Sequence, residues 1–162
     1  MTTSSESARS RSQGGAAFLL AQLGAHATAL FTERVRRLDL TPAQAGLLRT
    51  LAGSPGRSQR EIAEELGMAA SRFVPFADEL EKHGLIERRK NPKDRRLHAL
   101  HLTERGDRLL GELREAGAAH EQQVCEALTP EEHRQLTALL RRMAEQQKLT
   151  PGAHPGYRTP QT

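Results

Sequence analysis

The sequence predicts a mostly helical α+β fold that contains one small antiparallel β-hairpin. Three observations lead to this prediction. Apolar residues recur with the 3/4 spacing of amphipathic helices along most of the 162-residue chain. Three Ser/Thr-x-x-Glu/Gln capping boxes mark helix starts. Two short extended segments, 85–89 and 97–102, flank a turn-rich basic loop, which is typical of a hairpin.

The first predicted element is a long amphipathic helix over about residues 15–38. Three further helices begin at the capping boxes, with predicted ranges of about 42–53, 59–66 and 130–147. The residues that cap these helices are Thr41, Ser58 and Thr129. Gly67 follows the second of them, where a helix C-terminus favours a left-handed residue.

The middle of the chain has the pattern of a winged helix-turn-helix. A second short helix follows the turn at Gly67 and ends near His83, and two short helices separated by a tight turn form a helix-turn-helix. The hairpin comes next and supplies a small β wing. Thr103 then begins another long helix.

The long outer helices carry apolar stripes that the small middle domain cannot cover. An intertwined homodimer is the simplest arrangement that buries them. The predicted dimer contacts are Leu20, Leu23, Leu30, Leu113, Val124, Leu136, Leu139 and Leu140. The chain is thus divided into a disordered tail (1–13), an N-terminal dimerisation helix (14–40), the winged helix-turn-helix (41–103), C-terminal dimerisation helices (104–148) and a second disordered tail (149–162).

Composition excludes several classes of protein. A single Cys rules out a disulfide framework and a multi-Cys metal site. The longest apolar run is six residues, 16–21, whereas a bilayer span needs about 20. Residues 1–13 have no apolar signal segment, so a cytoplasmic location is expected. No hydrolase, metalloprotease or phosphate-loop motif is present, which predicts a protein that is not an enzyme.

Positive charge is concentrated at the predicted hairpin. Residues 82–96 contain seven basic and two acidic side chains, a local charge of +5, whereas the whole chain carries +4. The remainder is therefore close to neutral, at −1. A basic patch on a nearly neutral body is typical of a polyanion-binding surface, although a solvated charged loop gives the same pattern.

The chain resembles the MarR family of bacterial transcriptional regulators over about residues 18–143. Four segments carry the resemblance, in order and at matching spacing: 40–48 (LTPAQAGLL), 59–67 (QREIAEELG), 78–88 (DELEKHGLIER) and 94–96 (DRR) with 102–106 (LTERG). The resemblance implies a homodimer that binds a palindromic operator in double-stranded DNA. It also implies repression that a small ligand or oxidation relieves.

The family's wing pattern assigns roles to two residues here. It implies that Asp94 braces the loop and that Arg96 enters the minor groove, while neighbouring cations contact phosphates. A local surface ion pair between the two residues is the alternative interpretation. The complete set of expected DNA contacts is Ser58, Gln59, Ala70, Ser71, Arg72, Val74, Pro75, Arg89, Lys90, Lys93, Asp94, Arg95 and Arg96.

The recognition helix departs from the family's polar groove face. Ser71 and Arg72 are its only polar readers, and Arg72 can pair with a guanine edge. Pro75 removes a helix N–H, which costs about 3 kcal/mol or more inside a helix. With Ser71 as the N-cap the strain is smallest, so we predict a bent or late-starting helix. Specificity is then expected to depend more on the wing and on DNA shape than on base contacts.

The implied effector is a small phenolic or aromatic molecule, with His26 and His120 as candidate polar groups of its pocket. No metal or resident cofactor is predicted; His98 and His101 fall on opposite faces of a strand. Cys125 is expected to be a small buried hydrophobic residue. Two alternatives stay open at this point: a winged helix that binds protein instead of DNA, and a metal- or redox-responsive regulator.

Overall fold

A computed structural model describes residues 14–90 and 98–152. Within these ranges the chain forms six helices and one two-stranded antiparallel sheet. The elements, in order, are α1 (Ala16–Arg36), α2 (Pro42–Gly53), α3 (Gln59–Glu65), α4 (Ala70–Lys82), β1 (Ile86–Lys90), β2 (His98–Leu102), α5 (Glu104–Val124) and α6 (Pro130–Gln146). The predicted mostly helical fold with a small β wing is confirmed.

All three predicted capping boxes are present. At the start of α2 the Thr41 amide donates to Gln44 Oε1 at 2.8 Å, and the Gln44 amide donates to Thr41 Oγ1 at 3.2 Å. Ser58 and Thr129 form the same reciprocal pairs at α3 and α6. Each box satisfies two backbone donors that a helix start otherwise leaves without partners, which explains why these starts were predictable.

The hydrophobic core lies in the middle of the chain. The largest fully buried side chains come from α1, α2, α3, α4 and the two strands; they include Phe73, Leu47, Leu51, Ile62 and Leu100. These elements pack on one another because each presents one apolar stripe or face. The core therefore fixes α3, α4 and the hairpin as one unit.

The β wing is attached to this unit through its second strand. β1 and β2 pair from Ile86 opposite Leu102 to Lys90 opposite His98. On the other side of β2, the Leu100 amide donates to the Arg57 carbonyl at 3.1 Å, next to an isolated bridge between Ser58 and Ala99. The segment just before α3 thus adds a third short extended stretch to the sheet.

A close backbone contact joins α5 to the hairpin. The Thr103 amide donates to the Leu85 carbonyl at 3.1 Å, and Thr103 Oγ1 accepts from the Gly106 amide at 3.0 Å. Gly106 is buried so closely that a Cβ there would lie 2.1 Å from the Leu85 carbonyl oxygen. Only glycine fits this position, because that distance is far below van der Waals contact.

None of the helices in the described ranges combines the length and the apolar character that a bilayer span requires.

Candidate nucleic-acid interface

The turn between α3 and α4 is a tight left-handed cap. Gly67 has φ +64°, and its amide donates to the Glu64 carbonyl at 3.1 Å. The next amide, of Met68, donates to the Ala63 carbonyl at 2.8 Å, which completes a Schellman motif. Met68 is buried beneath the turn. The turn and its anchor set the angle at which α4 leaves α3.

Helix α4 presents one exposed face and one buried face. Phe73, Ala77 and Leu80 are buried in the core. The residues of α4 that were predicted to contact DNA are all exposed: Ala70, Ser71, Arg72, Val74 and Pro75. The amphipathic pattern thus holds the predicted groove face outward while the core fixes the helix.

The predicted start of α4 was wrong. The N-cap is Ala69, without a side-chain cap bond, and Ser71 lies in the first turn. Pro75 is therefore the sixth helical residue, and the helix continues past it to Lys82. The helix begins before Ser71 although Pro75 removes the hydrogen bond to the Ser71 carbonyl. Both residues lie on the exposed face, where water can satisfy that carbonyl.

Ser58 was also placed wrongly as a DNA contact. Its side chain is 3% exposed, accepts from the Glu61 amide at 3.2 Å and donates to Glu61 Oε2 at 2.7 Å. A buried cap cannot reach a groove. Gln59 is half-buried, and its Oε1 accepts a hydrogen bond from Arg88 Nε. Gln59 thus has a bracing contact that the sequence did not suggest.

Arg88 joins the helix-turn-helix to the wing. Its guanidinium contacts Gln59 of α3, Glu81 of α4, and Asp78 Oδ1 of α4 at 2.5 Å. The Arg88 amide also donates to Glu81 Oε1 at 3.1 Å. Its side chain is only 18% exposed. The planar guanidinium carries five N–H donors, so this one side chain can form hydrogen bonds with all three partners at once.

This junction was missed at the level of sequence. Arg88 was counted there only as one more cation of the basic window. The signal was the presence of Asp78 and Glu81 three residues apart on a helix, one turn before a basic strand. Two such carboxylates at helical spacing share a face and can bind one guanidinium.

The outer part of the basic window is exposed as far as it is described. Arg89 and Lys90 are exposed at the end of β1, and Arg89 Nε donates to Glu87 Oε1 at 2.8 Å. Four other predicted wing contacts lie outside the described residues: Lys93, Asp94, Arg95 and Arg96. The roles that the resemblance implies for them stay predictions.

A cavity of about 340 Å³ lies between α1, α2 and α5. Phe31, Leu110 and Leu113 contribute to its apolar wall, and Arg49 and Arg114 place two cations at its border. Arg49 Nη2 also donates to the Gly152 carbonyl at 3.2 Å, so the segment after α6 borders the cavity. The volume fits a small molecule, and the lining suits an apolar body with a negative group.

The predicted pocket histidines do not line this cavity. His26 is exposed on α1. His120 is not a lining residue; its ring centroid lies 5.3 Å from that of Phe31, and its buried Nδ1 has no hydrogen-bond partner among the described residues. Burial, with a smaller effect of Arg34, lowers the pKa of His120. The lone histidines were poor indicators because helical spacing alone could not place them relative to α2.

An apolar surface remains uncovered on the outer helices. Helix α6 has no buried residue, although it is 17 residues long. The exposed apolar side chains include five of the predicted dimer residues: Leu20, Leu23, Leu136, Leu139 and Leu140. Leu30 and Val124 are half-buried. Leu113 was assigned wrongly, because it is buried in the chain's own core and faces the cavity.

Cys125 also departs from its prediction. It is half-buried rather than buried, and it caps the C-terminus of α5 instead of lying within the helix. Burial, and then the nearby Glu121 carboxylate, raise the pKa of the Cys125 thiol. A raised pKa disfavours the thiolate that oxidation requires.

Comparison with known proteins identifies the family. A family model described as the MarR family matches residues 38–97. A protein of Thauera aromatica named for transcriptional regulation of the hcr operon is 34% identical over 112 residues, which cover 69% of this chain and 68% of that protein. The chain belongs to the MarR family. It is a transcriptional regulator of that family.

Two further relatives agree with this assignment. The HTH-type transcriptional repressor MdtR of Bacillus subtilis strain 168 is 33% identical over 113 residues, covering 70% of this chain and 73% of MdtR. The structure of the transcriptional repressor CouR bound to a 23-mer DNA duplex has a TM-score of 0.72 to this chain. It is 34% identical and covers 80% of this chain and 92% of CouR.

Proposed function

We propose that this MarR-family regulator binds a palindromic operator as a homodimer and represses transcription until a small ligand is bound. The observation that carries the proposal is the exposed face of α4 beside the basic end of β1, both held by Arg88. The relative CouR, whose structure contains a DNA duplex, supports the same mode of binding. The chain acts in this scheme by binding and not by catalysis.

The DNA contacts divide into two groups. We expect the exposed face of α4 to lie in the major groove, where Arg72 is the residue able to read a guanine. We expect phosphates and the neighbouring minor groove to be contacted by Arg89, Lys90 and the predicted wing cations. Because three of the five predicted contacts on α4 are apolar (Ala70, Val74 and Pro75), we assign the larger share of specificity to the wing and to DNA shape.

We expect the homodimer to form through the uncovered apolar surface of α1 and α6. An isolated helix of this length is marginal in water, and none of the residues of α6 is fully buried within the described part of the chain. A second copy of the chain offers the same apolar residues in return, which gives an isologous interface. Two α4 helices related by a two-fold axis then fit successive major grooves, about 10–10.5 bp apart.

The effector is assigned to the cavity bordered by Arg49 and Arg114. Its apolar wall and two cations favour an aromatic carboxylate. The cavity lies where α2, part of the winged domain, meets α1 and α5 of the outer helices. A ligand there can alter the spacing of the two winged domains only if it binds one arrangement more tightly than the other.

A gel shift with a duplex from the region upstream of the gene tests the proposal. Specific and salt-sensitive retention is expected, with a shuffled duplex of equal composition as the control. Substituted benzoates are expected to release the duplex, and Arg49→Ala is expected to weaken that release while leaving DNA binding intact. Equal affinity for the two duplexes would favour a protein-interaction module instead.

A further inference from the structure

Three side chains with metal-ligating atoms meet where α5 turns into α6. Glu121 lies in the last turn of α5, Cys125 caps that helix, and His133 lies in the first turn of α6. His133 Nε2 is 2.6 Å from Glu121 Oε1. The ligating atoms of all three residues lie within 4.8 Å of one another.

The local backbone brings these residues together. Glu121 and Cys125 are four residues apart, and the Cys125 amide donates to the Glu121 carbonyl at 3.0 Å, so they share one helical face. Thr129 caps α6, and the His133 amide donates to its carbonyl at 2.9 Å. The short turn therefore returns His133 toward the end of α5.

The spacing is close to that of a tetrahedral site. With Zn–N and Zn–O bonds of about 2.0–2.1 Å, neighbouring N and O ligands lie about 3.3 Å apart, and with a Zn–S bond of about 2.3 Å the sulfur lies about 3.6 Å from each. The observed Glu121–His133 contact is shorter than this, and the upper bound on the sulfur distances is longer. Side-chain rotations that move the ligating atoms by about 1 Å bring both sets of distances to the tetrahedral values.

We propose that Glu121, Cys125 and His133 bind one Zn²⁺ ion in each chain. Thiolate, imidazole and carboxylate together are a typical ligand set for zinc, whereas Mg²⁺ and Ca²⁺ select oxygen ligands. Three protein ligands leave a fourth position for water. Binding displaces the Cys125 proton to solvent, so metal affinity rises with pH.

The site connects the two helices that follow the wing. Without a metal, the pair of Glu121 and His133 joins the last turn of α5 to the first turn of α6. A bound ion adds Cys125 to that connection and fixes the angle at which α6 leaves α5. The binding of zinc does not depend on the proposed function, because all three ligands come from one chain.

A metal titration of the purified full-length protein tests the site. After removal of metal with a chelator, Zn²⁺ is titrated against a chromophoric competitor, with Mg²⁺ as a separate arm. One Zn²⁺ per chain is expected, without competition from Mg²⁺. Cys125→Ser and His133→Gln are each expected to lower the affinity at least about tenfold. The matched controls Glu126→Gln and His101→Gln are expected to leave it unchanged.

Cobalt supplies a readout that does not rely on the variants folding well. Co²⁺ bound to the wild-type protein is expected to show tetrahedral d–d absorption and a thiolate-to-cobalt charge-transfer band. The chain has one Cys, so that band can arise only from Cys125. Absence of the band, or zinc affinity that survives Cys125→Ser unchanged, would overturn the proposal. A gel shift measures DNA binding separately, so failure of one proposal does not obscure the other.

Discussion

Replacing Arg88 is expected to separate the bracing role of one arginine from the DNA-binding role of its neighbour. The Arg88→Ala change removes a guanidinium whose side chain is 18% exposed, and three partner side chains lose their contact with it. The partner carboxylates are 57% exposed for Asp78 and 38% for Glu81. Breaking a fully buried pair costs about 3–5 kcal/mol, and an exposed pair contributes about 0–1 kcal/mol. The expected loss of stability is intermediate, about 2 kcal/mol.

Arg89 is the matched control, since it is the next residue, is exposed and pairs with Glu87, its one ion-pair partner among the described residues. Arg89→Ala is expected to change stability by less than about 0.5 kcal/mol. It is expected to reduce the salt dependence of DNA binding by about one unit of slope per chain. Urea unfolding and salt-dependent fluorescence anisotropy measure the two effects. Unchanged stability for Arg88→Ala, or an equal loss for Arg89→Ala, would refute this division of roles.

Three further outcomes are expected. Gly106→Ala should destabilise the protein by about 1–3 kcal/mol, because its Cβ meets the Leu85 carbonyl. Gly111→Ala should stabilise it by about 1 kcal/mol, because no described atom beyond its chain neighbours and the local helix backbone lies within 4 Å of the added Cβ. Urea unfolding compares the two variants. Because the pKa of His120 is lowered in the folded protein, His120 contributes stability that is complete above pH 6.5, its ordinary pKa. That stability is lost as the pH falls through the pKa of the folded state. His120→Phe should therefore flatten the dependence of the free energy of unfolding on pH across the acidic range. Pro75→Arg should change the preferred operator sequence in a binding selection; unchanged preference with higher affinity would show that Pro75 is only a defect.

The helix starts were predictable because their determinants are local. A capping box at Thr41 or Thr129 lies within four residues, so its hydrogen bonds need no partner from a distant part of the chain. The start of α4 was predicted wrongly because it has no such local determinant. Ala69 has no side-chain signal, and the penalty for a proline inside a helix favoured a later start at Ser71, whereas the helix continues through Pro75.

The sites that depend on long-range packing were not predictable in this way. Leu113 has the spacing of a dimer residue, but periodicity cannot tell an intramolecular core from an interface. The cavity joins Arg49 and Arg114, which are 65 residues apart, and only the packing of α2 on α5 brings them together. The Glu121 and His133 contact likewise requires the turn between two helices.

Selection of bound duplexes from a random DNA library tests the proposed binding mode most directly. Two α4 helices related by a two-fold axis predict an inverted repeat whose half-sites are centred about 10–10.5 bp apart. Enrichment of that repeat at that spacing is the expected result. Enrichment of a single unrepeated site, or no enrichment at all, would contradict the dimeric operator complex.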